Sequence, residues 1–210
     1  AGAAAGGGEA AISAGRPYGG DGKTAAAETS RWLAHAASWG YVSVHDAPLA
    51  TAAAVLSIAD GDQGELFFYI ADFDSGASGV SEWNASLTLS QAGLNATTGC
   101  EALSLDPEDP RCAKATYSGV MRKACCGAQT KGKAALFRRH PAMASWPEGH
   151  NFQVYELAVS DVWIIDGYGG AATFTGKEYY AAKPRHNVPS FPPAKGGAAA
   201  ERAAAAAPPP

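Results

Sequence analysis

The sequence has little charge, and one long stretch of it has no basic residue. Only 17% of its 210 residues are charged, and the formal net charge of -4 argues against nucleic-acid binding. Between Trp32 and Pro110 there is no Lys or Arg, although 11 acidic residues lie there. Phosphate-bearing cofactors are normally bound by Arg or Lys, or by backbone amides at a helix start. In the first half of the chain, a phosphate could therefore be bound only by backbone amides. The simpler interpretation of the acidic residues there is a solvated surface.

Long apolar runs and common catalytic motifs are also missing. The longest strongly apolar run, Leu66 to Ala71, is far too short to cross a bilayer, so we expect no membrane span. No P-loop, dinucleotide fingerprint or zinc-binding helix motif occurs, and Gly167 to Gly170 is typical of a tight turn. The first residue is Ala rather than Met, so we expect a processed chain or a fragment.

The composition predicts one folded domain between two disordered ends. Residues 1–23 are dominated by Ala and Gly, and residues 187–210 by Pro and Ala, which cannot bury enough apolar surface to offset the entropy of ordering. Residues 24–186 contain the long aromatic and β-branched runs. That length suits a single domain burying roughly 70% of its unfolded-chain surface.

Short strands outnumber helices in this domain. Helical spacing of apolar residues predicts helices at 24–38 and 130–143, and residues 75–83 are ambiguous but suit a short helix. Alternating or short apolar runs predict strands at 41–45, 53–59, 66–71, 86–90 and 117–121, and two more within 151–165, separated near Ser160 and Asp161. This pattern predicts a mainly β fold, a Greek-key or meander barrel with flanking helices.

Four cysteines form two pairs with different chemistry. Cys100 and Cys112 bracket a turn-rich connection, so they are either a disulfide, which stabilises by roughly 3 kcal/mol, or two unconnected thiols. Cys125 and Cys126 are adjacent, and a ring between neighbours strains disulfide geometry. We interpret them as separate thiols, with a redox role or a partner on another chain as the alternatives.

Asparagine and histidine supply the remaining candidate sites. Asn84 and Asn95 begin glycosylation triplets, which matter only in the secretory pathway, and Asn95 is the better placed because it lies in a predicted loop. His140 and His150 have no Cys, Ser or carboxylate at a spacing typical of an activated nucleophile. Structural roles are therefore the default interpretation of these histidines.

Several segments, in order along about 150 residues, resemble the CREG family of secreted cellular-repressor glycoproteins. The segments that carry the resemblance are Arg139-His140-Pro141-Ala142-Met143, Trp146-Pro147-Glu148-Gly149-His150-Asn151-Phe152, Val162-Trp163-Ile164-Ile165-Asp166 with Gly169-Gly170, and Glu178-Tyr179-Tyr180. The resemblance extends back through Ser118-Gly119, Cys112, Asp106-Pro107 and Cys100 to Trp39-Gly40. The Ala-rich start, the Pro-rich tail and the Cys125-Cys126 pair depart from the family pattern.

The resemblance implies a fold, an assembly and a compartment. It implies a six-stranded split β-barrel related to flavin-binding pyridoxamine-phosphate oxidases, a homodimer with a pocket at the subunit boundary, and a Cys100–Cys112 disulfide. It also implies a glycoprotein of the secretory pathway or the endolysosomal or vacuolar lumen, with a protein partner or sorting receptor.

The resemblance further implies that the flavin site is lost. Flavin-using relatives bind the phosphate with a basic segment before the fourth strand and a basic residue on the second strand. Here those positions read Asp74 to Ser78 and Ala52 to Ala54, so Ser75 alone is retained. We therefore expect no cofactor and action by protein recognition. The alternatives are an FMN-dependent oxidoreductase and a haem-binding split barrel using His140 or His150.

The signature region itself is expected to be scaffold. Pro141 and Pro147 should end or kink the chain, and His150 with Asn151 should hydrogen-bond it at the start of the next strand. Trp146 should bury its ring against the barrel, so that Trp146→Ala would cost roughly 3–5 kcal/mol.

Overall fold

The computed structural model describes residues 22–45, 53–71 and 82–184. Nearly all of the two ends expected to be disordered, and Ser75, lie outside these residues. So does most of the ambiguous segment at 75–83; its last two residues, Glu82 and Trp83, begin a strand rather than a helix.

Three helices and seven strands make up the described chain. Helix α1 spans Gly22–Ala36, α2 Cys126–Arg139 and α3 Gly176–Ala181. The strands are β1 (Trp39–Val44), β2 (Ala53–Asp60), β3 (Leu66–Ala71), β4 (Glu82–Ser90), β5 (Lys114–Lys123), β6 (Phe152–Ile165) and β7 (Ala172–Thr175). Short 3-10 turns lie at 91–93, 101–103, 141–145 and 148–150.

The strands form a closed antiparallel barrel. Their order is β3-β2-β1-β4-β5-β6-β7, and β3 also pairs with β6, which closes a ring of six strands and leaves β7 as an addition beside β6. Strands β1 to β4 lie in the order 4-1-2-3 of a Greek key. The six-stranded Greek-key barrel expected from the sequence is therefore confirmed.

The barrel interior is filled by alternate residues of its strands. Phe68, Leu87, Tyr117 and Leu157 are fully buried in one cluster, which also includes Leu33 from α1. The Tyr117 hydroxyl donates to the Ser30 carbonyl oxygen at 2.7 Å, so the buried phenol keeps a partner. Burial raises the pKa of this phenol well above its ordinary value. The interior is a packed core.

Helix α2 covers part of the outer surface of the barrel. Outward-facing Ala59, Phe67 and Val154 form a second cluster with Leu136 of α2. Gly132 permits this close packing, because a Cβ there would lie 2.7 Å from the Phe67 ring. This helix begins at Cys126, four residues earlier than predicted, and ends before the proline at 141, as proline sterics require.

The predicted break within residues 151–165 is wrong. β6 is one continuous strand whose register against β5 shifts at Ser118/Gly119, where Ser160 has no partner across the pair. Such a bulge accommodates an extra residue without ending the strand. A side chain at Gly119 would collide with the Ala158 carbonyl, which accounts for glycine beside the bulge.

The C-terminal end of the described chain holds two elements that the sequence analysis missed. β7 pairs with β6, and α3 follows at once, with a capping box formed by Thr175 and Glu178. The Tyr179 hydroxyl donates to the Gly64 carbonyl at 3.0 Å, and Arg31 of α1 donates to the Ala182 carbonyl at 2.8 Å. α3 therefore fastens the chain end to α1 and to the turn before β3.

Candidate functional site

Arg139 of the signature segment holds the end of one helix against the barrel. Its guanidinium donates to the carbonyl oxygens of His35 and Ala37, both at 2.9 Å, where α1 has orphan acceptors. It also donates to Asp60 at 2.6 Å, and His35 Nδ1 lies 3.0 Å from the other carboxylate oxygen. Asp60 lies at the end of β2 and is buried. Arg139 therefore joins α1, α2 and β2.

His140 continues the same structural role. Its backbone N–H donates to the Leu136 carbonyl at 2.7 Å, and its Nε2 lies 2.9 Å from the Ile58 carbonyl oxygen. Pro141 starts the 3-10 turn that follows, a position suited to its fixed φ. To bind a haem iron through Nε2, His140 would have to give up its contact with the Ile58 carbonyl oxygen of β2.

Trp146 does not bury its ring against the barrel, contrary to expectation. The residue is 37% exposed, at the end of the 3-10 turn 141–145. Its ring contacts Phe152 at 4.8 Å and stacks on Tyr69 at 5.9 Å between centroids. The ring of the exposed His150 packs on Phe152, with 5.9 Å between the ring centroids. These rings form a partly exposed cluster beside α2, so removing Trp146 leaves a surface notch rather than an internal cavity.

Two further signature positions have conformational explanations. Pro147 precedes the 3-10 turn 148–150, and Asn151 ends it at φ 47°, a left-handed conformation that Asn tolerates well. Its Oδ1 accepts a hydrogen bond from Gln153 at 2.8 Å, at the start of β6. The expected hydrogen bonding at the strand start is therefore present for Asn151.

The Asp166 to Gly170 segment connects β6 to β7. Asp166 is 2% exposed, immediately after the last residue of β6. Gly169 and Gly170 have φ angles of 105° and 89°, which side-chain-bearing residues rarely adopt. A requirement for positive φ accounts for the glycine pair, in agreement with the turn interpretation.

Cys100 and Cys112 form a disulfide in the structure. The Sγ–Sγ distance is 2.01 Å, and the buried bridge packs with Leu105. Within the closed loop, Arg111 forms a two-pronged contact with Asp109 at 2.9 and 2.7 Å. This hydrogen bonding lowers the pKa of the Asp109 carboxyl and raises the pKa of Arg111.

The asparagines of both glycosylation triplets are exposed, although the second and third residues of the first triplet are buried. Asn95 is exposed, and its side-chain oxygen accepts from the Thr97 hydroxyl at 2.7 Å and from the Thr97 amide at 3.0 Å. Asn84 is exposed within β4 rather than beside a strand. The Asn95 triplet lies in an exposed loop, whereas Ser86 of the Asn84 triplet is buried beside His45, so Asn95 is the more accessible acceptor.

The described positions at which the resemblance implies a flavin-phosphate site carry no basic side chain. Ala53 and Ala54 of β2 are exposed but have no polar side-chain atom, and the other positions, Ala52 and Ser75, lie outside the described residues. Strands β1 to β4 contain no Lys or Arg. A phosphate dianion placed against β2 would therefore lose hydration without gaining a cationic partner from these strands.

The part of the barrel surface that α2 leaves uncovered carries an uncharged row of side chains, here called the outer row. It runs across six strands in direct register: Val55, Tyr41, Thr88, Thr116, Trp163 and Thr173. Val55 is 60% exposed, Tyr41 49% and Trp163 41%. Two of the threonines hydrogen-bond across the strands at 3.1 Å. Strict alternation in β1, β4 and β6 could have revealed this row once the register was known.

A shallow groove adjoins the outer row at Tyr41 and Thr88. It has a volume of about 320 Å³ and is bordered by Trp39, Tyr41, Thr88 and Leu94. The two aromatic rings meet edge to face at 5.5 Å. The outer row and this groove together expose three aromatic side chains, Trp39, Tyr41 and Trp163, and they are the candidate interaction site.

The described residues give no sign of a membrane helix or a metal cluster. Among residues 22–45, 53–71 and 82–184, no helix is long and apolar enough to cross a membrane. Within the same ranges, no group of three or more His, Cys, Asp or Glu side chains could hold a metal ion.

Comparison with known proteins gives consistent matches. The family model described as "CREG, beta-barrel" matches residues 21–181. Protein CREG1 of Gallus gallus is 32% identical over 173 residues, covering 76% of this chain and 87% of the relative. Protein CREG2 of Mus musculus is 35% identical over 171 residues, covering 76% of this chain but only 57% of the relative.

A solved structure supports the fold at lower identity. The structure of a heme binding protein from Mycobacterium smegmatis matches with a TM-score of 0.61 and 20% identity, covering 76% of this chain and 61% of that chain. At this identity the match concerns the barrel architecture. The family model and the two relatives match the part of the chain that forms the barrel. The chain therefore belongs to the CREG family.

Proposed function

We propose that this protein acts by protein recognition without a flavin cofactor, as a homodimer that pairs through the outer row. The observation that carries the proposal is the exposure of Tyr41 and Trp163 in one uncharged row that runs across six strands. Aromatic residues are enriched at protein interfaces because they bury much area at little entropic cost.

A second copy of the chain is the occupant that the charge pattern favours. In a two-fold dimer, residues near the axis face their own copies, so a charge there would meet a like charge. All six residues of the outer row are uncharged, in a chain with a formal net charge of -4. The row therefore offers a surface on which two copies can meet without electrostatic repulsion.

The lack of a basic side chain on strands β1 to β4 supports recognition rather than flavin chemistry. Nearby described basic residues already have internal partners: Arg139 binds Asp60 and the end of α1, and Arg122 pairs with Glu156 at 3.6 Å. Haem ligation by His140 is also disfavoured, because its Nε2 faces the Ile58 carbonyl.

The compartment we propose is the secretory pathway or the endolysosomal lumen. The Cys100–Cys112 bridge requires an oxidising environment to form, and both Asn84 and Asn95 are exposed in acceptor triplets. Membership of the CREG family is consistent with this location.

Sedimentation of charge variants tests the proposal. Tyr41→Asp and Trp163→Asp each remove an aromatic ring and bring a carboxylate from each copy into the dimer interface, and we expect dimer dissociation constants at least about tenfold higher, since an interfacial aromatic contributes about 2 kcal/mol or more. Gln129→Asp adds the same charge on exposed α2 and should sediment like the parent. A parent that stays monomeric, or row variants that dimerise as well as the control, would contradict the proposal.

A further inference from the structure

Four aromatic rings contact one another on the side of the barrel that α2 covers. They belong to Tyr69, Phe137, Trp146 and Phe152, here called the aromatic cluster. Tyr69 stacks on Phe152 at 5.1 Å between centroids and meets Phe137 edge to face at 5.5 Å. Trp146 contacts both Tyr69 and Phe152 and is 37% exposed. The cluster therefore presents ring surface to solvent in a fixed orientation.

A shallow groove on α2 adjoins the aromatic cluster at Phe137. This α2 groove has a volume of about 420 Å³ and is lined by Gln129, Thr130, Lys133, Ala134 and Phe137. Small-molecule sites in proteins commonly measure about 300–1,000 Å³. Gln129 and Thr130 are exposed and supply an amide and a hydroxyl group that can hydrogen-bond a ligand. Because the groove and the cluster share Phe137, one ligand can contact both.

A cation lies at the junction of the α2 groove and the aromatic cluster. Lys133 Nζ is 5.3 Å from the centroid of the Phe137 ring. Within residues 22–45, 53–71 and 82–184, no salt bridge involves Lys133. The sequence from Arg111 to Pro147 contains eight Lys and Arg residues and no Asp or Glu. This surface is therefore complementary to a negatively charged ligand, even though the whole chain has a net charge of -4.

The combination of rings, polar groups and one cation suits a sugar. The negative face of an aromatic ring attracts the polarised C–H groups of a pyranose ring, while amide and hydroxyl side chains hydrogen-bond sugar hydroxyls. A membrane-binding helix instead turns its apolar face to the lipid, whereas α2 packs Ala135 and Leu136 against the barrel. Nucleic acid is disfavoured by the negative net charge of the chain.

We propose that the aromatic cluster and the α2 groove bind an acidic oligosaccharide, with one sugar ring on Trp146 and a carboxylate, sulfate or phosphate group paired with Lys133. Trp146 and Lys133 are linked through the rings of Tyr69 and Phe137, so the ligand has to be longer than a single sugar. Glu148, two positions after Trp146, disfavours an anionic group at the other end. The site shares no residue with the outer row, and the inference does not rest on the proposed dimer.

An oligosaccharide array tests the proposal with the full-length, fluorescently labelled protein. Each sialylated, sulfated, phosphorylated or uronate-containing oligosaccharide on the array is paired with its neutral parent. We expect binding to one or more acidic members and weaker binding to their neutral parents. A protein that binds no member, or that binds acidic and neutral partners equally, would overturn the proposal whatever its oligomeric state.

Variants assign the binding to this surface by titration calorimetry with the acidic oligosaccharide that gives the strongest array signal. Trp146→Ala should weaken binding at least about tenfold, whereas Trp146→Tyr keeps a ring and should retain most of the affinity. Lys133→Gln should weaken binding about fivefold and reduce the preference over the neutral parent. Lys131→Gln is the matched control, because it removes the same charge from a helix position about 200° away that does not line the groove.

The control separates a specific site from general attraction of anions. Equal losses in Lys133→Gln and Lys131→Gln, or unchanged binding in Trp146→Ala, would contradict the proposed site. Two further probes are vesicles containing phosphatidylserine and a single-stranded oligonucleotide, whose bases also stack on aromatic rings. Binding to either probe in place of the acidic oligosaccharides would assign the surface to a membrane or to nucleic acid and refute our assignment.

Discussion

Removing the Arg139 guanidinium should strongly destabilise the fold. Arg139→Met keeps most of the aliphatic side chain but deletes the donors to His35, Ala37 and Asp60. Hydrogen bonds involving a charged group contribute about 1.5–3 kcal/mol each, and removing one partner of a buried ion pair costs about 3–5 kcal/mol. The Arg139 side chain is 20% exposed, so solvent screening reduces the loss. We expect about 3 kcal/mol.

Thermal and urea unfolding measure this loss. For a domain of this size, 1 kcal/mol corresponds to roughly 2–4 °C, so the melting temperature should fall by roughly 6–12 °C. The control is Arg138→Met, because Arg138 is the exposed neighbour on the same helix and its loss should stay within about 0.5 kcal/mol.

A double-mutant cycle separates the ion pair from the helix contacts. Asp60→Asn and Arg139→Met should be non-additive by about 1 kcal/mol or more, because each variant already removes the charge interaction of the pair. Arg139→Met melting within the error of Arg138→Met would refute the structural role of Arg139, and full additivity with Asp60→Asn would refute its ion pair with Asp60.

Three further measurements test other parts of the structure. Trp146→Ala should cost about 1 kcal/mol in urea unfolding, because the ring is more than a third exposed and leaves no closed cavity; a loss of about 3 kcal/mol or more would restore the buried interpretation. Cys100→Ser, compared with the parent, should cost roughly 3 kcal/mol, and a melt equal to that of the parent would argue against the bridge with Cys112. Arg111→Gln should destabilise the protein above the ordinary Asp pKa of 3.8, and the deficit should vanish as the pH falls through the lowered pKa of Asp109; a deficit that does not depend on pH would disprove the ion pair.

Local patterns predicted most of the barrel. The runs at β2 and β3 were predicted within one residue, because apolar runs bounded by Gly and Asp mark strands strongly. The two-strand interpretation of β6 was wrong because the exposed Ser160-Asp161 pair resembles a turn. The bulge depends on Gly119 in the facing strand, which a local pattern cannot reveal.

The roles of the signature residues depend on contacts distant in sequence. Arg139 meets Asp60 across 79 residues, and His140 meets Ile58 across 82 residues. Trp146 was expected to be buried because large rings usually are, but 3-10 turns on either side hold it at the surface. The outer row likewise emerges only when strand register aligns Tyr41 with Trp163 through two threonines.

Native mass spectrometry of the purified protein, after treatment with a glycosidase, tests the central claim most directly, because one spectrum measures both the oligomeric state and any bound cofactor. Our account predicts a dimer whose mass equals two chains, with no added flavin even after incubation with FMN. A dimer that carries FMN, or a chain that stays monomeric at micromolar concentration, would contradict it.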